Sequence, residues 1–161
     1  MKKKILAILV ALLIPFSCGL FGLAGAVTEA GITCIVQPGY VSITVAPTTI
    51  DFGVINPLGS NQTVGDYINA TNNGTTTADM DIKATNSTNW TLVYPAAGTD
   101  EFNLKHNETA GAWTGVNLTY SPIATGVLAD SSIYFDLNIT VGNTAITAEQ
   151  TFTTTIRVVI A

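Results

Sequence analysis

Cations, histidine and cysteine are scarce in this chain, and each scarcity removes a class of chemistry. Its 161 residues include 6 lysines and arginines, one histidine and 2 cysteines, against 11 acidic residues. With His106 as the sole imidazole, no His-x-x-x-His zinc pair can exist. Cys34 and His106 could make a nucleophile–base pair, but no motif surrounds either residue. No cofactor-binding motif is present, and the sequence reads as non-enzymatic. Lys2, Lys3 and Lys4 cluster at the start, leaving Lys83, Lys105 and Arg157 for the remainder. So few cations exclude a nucleic-acid surface and would hold an anionic membrane poorly.

The opening has the order of a secretory leader. A basic start, Met1 to Lys4, precedes the apolar run Ile5 to Ile14, and small residues end at Ala24-Gly25-Ala26. This predicts a signal peptide over residues 1–26, removed after Ala26, and places the protein outside the cell or on its surface. Two alternatives stay open: a retained membrane anchor over the same stretch, and lipid attachment at Cys18. Loss of the leader takes Cys18 and leaves Cys34 alone, so no intrachain disulfide follows. Cys34 is then either buried on a strand or paired between molecules.

Residues 27–39 read as a lead-in strand, with Ile32, Cys34 and Val36 on one face, before the Pro38-Gly39 turn. Residues 40–161 read as one β domain. Its organising stretch is Pro47 to Pro57, where a proline that cannot donate to a central ladder follows the strand Tyr40 to Ala46. The expectation is an edge strand that breaks, changes sheet and turns, followed by a polar loop over Leu58 to Gln62. A period of two then runs through five segments containing Ile68/Ala70, Met80/Ile82, Phe102/Leu104, Ile133 to Val141, and Phe152 to Ile160. Shorter alternations include Trp90/Leu92/Tyr94 and Val116/Leu118/Tyr120, with Trp90 expected as the largest core contributor. Asn72-Asn73-Gly74 is a tight-turn signal. Alternation with Gly, Asn and Pro turns predicts an all-β, antiparallel sandwich, one face of each sheet buried.

Ile50-Asp51-Phe52-Gly53 within Pro47 to Pro57, and Asn69-Ala70-Thr71-Asn72-Asn73-Gly74 after it, resemble immunoglobulin-like β-sandwiches of prokaryotic envelope proteins. Thr33-Cys34-Ile35-Val36-Gln37-Pro38 and Asn89-Trp90-Thr91-Leu92-Val93 resemble an exported subgroup of them. The likeness covers residues 32–160 in outline. It implies an immunoglobulin-like sandwich, a cell-surface location and a structural or binding role, and it gives no residue a catalytic part.

Eight Asn-x-Ser/Thr sequons occur, at Asn61, Asn69, Asn73, Asn86, Asn89, Asn107, Asn117 and Asn138. Chance in so threonine-rich a chain predicts about three. Asn69, Asn89, Asn117 and Asn138 fall on the polar phase of their segments, and the other four in turn-like stretches. All eight are candidate glycosylation sites. Asp79 with Asp81, and Asp136 with Tyr134 and Asn138, share strand faces; a solvated face explains them better than a glycosidase pair. Asp100-Glu101 lacks the ligand spacing of a known calcium loop. Exposed aromatics that could stack on a ligand are Tyr67, Trp113 and Tyr134, on segments with no evident adjacency.

Two functions are consistent with this pattern. The first is a non-enzymatic surface protein that assembles with itself or other envelope proteins into a layer or filament through strand edges. Ile32, Cys34 and Val36 supply the assembly strand, acting either in their own sheet or in that of a neighbour. The second is an extracellular carbohydrate- or cation-binding module.

Overall fold

Every regular element in the computed structural model, which describes residues 38–108 and 111–161, is a β-strand. The order is β1 (Ile43–Ala46), β2 (Ser60–Gln62), β3 (Ile68–Asn72), β4 (Ala78–Ala84), β5 (Thr91–Leu92), β6 (Glu101–Glu108), β7 (Thr114–Val116), β8 (Ser121–Val127), β9 (Ser132–Val141) and β10 (Thr154–Ile160). The leader over 1–26 and the lead-in residues Ile32, Cys34 and Val36 lie outside the described residues. No helix among those described is long and apolar enough to cross a membrane.

The strands form two sheets. The larger runs β1-β3-β9-β6-β5, with β2 joining β9 beside β3 and β7 joining β6 beside β5. The smaller runs β10-β4-β8. Every pairing is antiparallel except β5 on β6. The period of two explains why these segments are strands and which way they face. In β4, Ala78, Met80, Ile82 and Ala84 are buried while Asp79, Asp81 and Lys83 are only partly so. In β9, Ile133, Phe135, Leu137, Ile139 and Val141 are all buried. Residues of both sheets, among them Met80, Ile82, Phe102, Leu104, Phe135 and Ile139, join one hydrophobic cluster. Residues Pro38–Ala161 hold together as one compact unit.

Several expectations need correction. β1 starts at Ile43, and the stretch after Pro47 does not change sheet: the next strand, β2, lies in the same sheet as β1. Leu58 to Gln62 is not wholly loop, because Ser60–Gln62 pairs with β9. Its three residues are all exposed, so no alternation betrayed it. β8 was hidden for another reason. Pro122 and Gly126 punctuate it, and a register irregularity against β4 breaks its period; an edge strand tolerates all three. Trp90 is only partly buried against the core, and its indole Nε1 donates to Thr144 Oγ1 at 3.3 Å. Phe102 and Phe135 are the largest fully buried side chains. Leu118 lies beyond β7 and is exposed.

Asn72-Asn73-Gly74 turns the chain, but between sheets rather than within a hairpin: β3 is in the large sheet and β4 in the small one. Asn72 is fully buried. Its Nδ2 donates to the carbonyls of Thr76 and Val127 at 2.9 and 3.0 Å, and its Oδ1 accepts from the Gly74 N–H at 3.0 Å. A Cβ on Gly74 would lie 2.4 Å from the Tyr40 carbonyl oxygen, so the crossing requires glycine there.

Candidate functional site

The outer face of the large sheet gathers the polar and aromatic residues that the core does not use. Residues 63–67, between β2 and β3, bulge over the outer face of β9, which pairs with β2 up to Asn138 and with β3 from Phe135; the Thr63 N–H still donates to the Leu137 carbonyl at 2.9 Å. Gly65 and Asp66 have φ of 81 and 56°, and this left-handed pair turns successive N–H groups toward one point. The point is the Asp136 carboxylate. It accepts from Thr63 Oγ1 at 2.7 Å, from the Tyr67 N–H at 3.1 Å and from the Asp66 N–H at 3.0 Å. Burial pushes the Asp136 pKa up, but the hydrogen bonds from Thr63, Tyr67 and Asp66 outweigh it and hold the carboxyl below its ordinary range. Asp136 is therefore buried, contrary to the solvated face expected for it. Alternation placed it correctly on the outer side, and the bulge covers it there.

Asn107 sits beside it. It faces Asp136 across β6 and β9, and its Oδ1 accepts the Asp136 N–H at 3.2 Å. Asn107 is on a strand and buried, so it lacks the outward setting that a bulky glycan requires. The remaining sequon asparagines are exposed or half-exposed. Asn61 is on β2, where its Nδ2 donates to the Phe52 carbonyl at 2.7 Å. The Nδ2 of Asn73 donates to Thr44 Oγ1, and that of Asn138 to Gln62 Oε1 at 3.2 Å. Asn86 Oδ1 accepts the Leu92 N–H at 2.9 Å. Asn86, Asn89 and Asn117 lie in loops. Asn69 is on β3, directly opposite Tyr134 of β9.

That last pairing brings together aromatics whose adjacency the sequence did not show. Tyr67 precedes β3 by one residue and Tyr134 lies on the neighbouring strand β9, both on the outer face. Trp113 immediately precedes β7, on the far side of β6. Tyr67 also borders a shallow hollow of about 240 Å³ lined by Ile50, Phe52, Asn61 and Gln62.

The other candidates are not brought together. His106 points into the core and is 4% exposed, with neither ring nitrogen hydrogen-bonded among the described residues. Burial lowers its pKa below the ordinary imidazole value. Asp81 pairs with Arg157, whose Nη2 lies 2.8 Å from Oδ2, while Asp79 accepts the Gly126 N–H at 2.9 Å. Asp100 accepts from Thr144 Oγ1, and Glu101 accepts the Gly98 N–H, so the Asp100-Glu101 loop binds its own donors. Among the described residues, no three of His, Cys, Asp and Glu cluster to hold a metal ion.

No protein-family model, curated protein or solved structure matches the chain.

Proposed function

We propose that this is a non-enzymatic, exported surface protein of the immunoglobulin-like envelope type, whose two sheets pack as a sandwich and whose strand edges make contacts between copies. One observation carries the reading. β10 is seven residues long, rich in Thr, Val and Ile, and paired on one edge only among the described residues. Val159 and Ile160 are exposed at its end. Edge strands ordinarily carry a proline, a lysine or a bulge that stops further pairing. At the opposite edge of the small sheet, β8 has both Pro122 and a bulge. β10 has neither, and its one cation, Arg157, is occupied by Asp81. An edge left regular suits main-chain pairing with an added strand. The donor in this reading is the segment bearing Ile32, Cys34 and Val36, supplied by a neighbouring copy. A head-to-tail contact of that kind does not close on itself and grows a filament.

Electron microscopy of the protein freed of residues 1–26 tests this. Filaments are the expected result, and a monomer at every concentration would sink the reading. Deleting residues 27–37 should leave a folded monomer that no longer assembles. An unfolded product would return that segment to its own core and remove the strand-addition mechanism.

The second reading, an extracellular carbohydrate-binding module, is favoured by Tyr67 and Tyr134 sharing one exposed face. Its cation-binding variant has no cluster of acidic ligands behind it among the described residues.

A further inference from the structure

Tyr67 and Tyr134 are 51% and 46% exposed on the outer face of the large sheet. Rings held half in water forgo burial that would stabilise the fold, which makes them suited to a cover. Asn69 stands between them. It lies two residues after Tyr67, so both side chains leave the same side of the strand. It is also paired with Tyr134, and directly opposed side chains start roughly 5 Å apart. Asn69 opens the sequon Asn69-Ala70-Thr71. Thr71 Oγ1 donates to Asn69 Oδ1 at 3.2 Å and so fixes the amide by its carbonyl end. The Nδ2 donates to no atom among the described residues, whereas those of Asn61, Asn73 and Asn138 are tied down.

We propose that Asn69 carries an N-linked sugar whose first ring lies over Tyr67 and Tyr134. The proposal rests on the export argued above, because the sugar donor is a lipid-pyrophosphate-linked oligosaccharide met during or after translocation. Transfer forms a bond from Asn69 Nδ2 to the anomeric carbon and breaks that carbon's bond to the pyrophosphate oxygen. The lipid pyrophosphate leaves with the electron pair, and the amide nitrogen loses one proton. A pyranose has an apolar C–H face and a hydroxyl rim. The face suits an aromatic ring, and the rim stays in water or reaches the phenol oxygens. The other sequons lack this setting: Asn138 is opposed by Lys105 and Gln62, Asn107 is buried, and Asn86, Asn89 and Asn117 are in loops.

The test is site-resolved mass spectrometry of the protein from its native cells, with fractionation, followed by melting. A sugar mass on the Asn69 peptide is expected. The glycosylated chain should melt several degrees above the same chain made in a host without N-glycosylation. In the Tyr67→Ala/Tyr134→Ala variant that difference should vanish, although both forms lose stability. A bare Asn69 overturns the proposal. Recovery of the bare form from the envelope fraction leaves export standing, and recovery from the cytosol alone removes export too. A sugar on Asn69 with the melting difference unchanged in the double variant overturns the stacking. The unmutated pair of hosts keeps the comparison decisive should the double variant not fold.

Discussion

At the residue scale, two buried ionisable groups act on stability from the acid side and in separate windows. His106 is neutral in the fold because burial lowers its pKa. The unfolded chain binds a proton below about pH 6.5, and the fold resists that proton. Stability is therefore full above that value and falls as pH drops toward the folded pKa. His106→Leu should remove this slope, and it replaces two nitrogens that have no partner among the described residues with apolar atoms. A gain of about 1–2 kcal/mol at pH 7 is expected in urea unfolding, larger at pH 5.5. A loss at both pH values would show that the ring has partners that matter. Asp136 works lower. Its folded pKa is depressed, so its contribution is present above the ordinary carboxylate value near 4 and is lost as pH falls through the folded pKa. Asp136→Asn keeps one acceptor oxygen and turns an NH₂ toward the Asp66 N–H. The loss should be about 1.5–3 kcal/mol, because the bonds it weakens are made to a charged acceptor. Acid unfolding of this variant should begin at a higher pH when the wild type is compared at equal denaturant.

At the element scale, the strands legible in the sequence are those whose apolar residues alternate with polar ones, namely β3, β4, β6, β9 and much of β10. Burial itself alternates strictly in β3 and β4, while β6 and β9 also bury Asn103, Asn107 and Asp136 from the other phase. In each legible strand, the apolar phase of the sequence is the phase that packs, apart from Ile160 at the exposed end of β10. The illegible ones share a physical cause: little or nothing of them faces a core in strict alternation. β2 is wholly exposed and β8 bends through a bulge, whereas β5 is a two-residue part of the alternation expected over Trp90, Leu92 and Tyr94. The outer face shows a further limit. Periodicity assigns Asp136 to the outer side, but cannot reveal that the loop over residues 63–67 covers it there; Asn107, expected in a turn-like stretch, is instead buried on β6. Adjacency of Tyr67 and Tyr134 was equally hidden, because β3 and β9 are distant in sequence and meet only through sheet order. The crossing from β3 to β4 depends on one asparagine, and a sequence signal for a turn does not say which sheets it joins. Asn72→Asp should test the crossing sharply. It retains the acceptor for the Gly74 N–H but directs a second oxygen at the carbonyls of Thr76 and Val127. A buried carboxylate facing carbonyls must protonate or unfold its surroundings. A loss of about 3 kcal/mol or more is expected from chemical denaturation at pH 7, shrinking as pH falls and the group protonates. A variant as stable as wild type would mean that the Nδ2 bonds contribute little.

At the scale of the whole molecule, charge sets the conditions under which the proposed assembly of copies can be tested. Beyond residue 26, Lys83, Lys105 and Arg157 face 11 acidic residues. Two of those cations are already engaged. Arg157 binds Asp81, and both Arg157 and Lys83 lie over the ring of Tyr120, at 4.0 and 4.6 Å. Little positive charge is left to attract the acids of another copy, so assembly cannot be driven by ion pairs and must overcome repulsion between like-charged domains. Strand pairing brings backbones to roughly 5 Å, inside the screening length of dilute salt. The proposed contact would be made of main-chain hydrogen bonds and apolar side chains, which salt does not screen. Raising ionic strength from about 0.01 M to about 1 M shortens the screening length from about 30 Å to 3 Å and should remove most of the repulsion. The fraction of protein that sediments as polymer should therefore rise with salt. Val159→Lys puts a positive charge on the exposed end of β10 and should suppress assembly at every salt concentration, since a lysine blunts an edge strand whatever the net charge. Polymer that dissolves as salt rises, or that persists in Val159→Lys, would mean that copies join through charged faces and not along this edge.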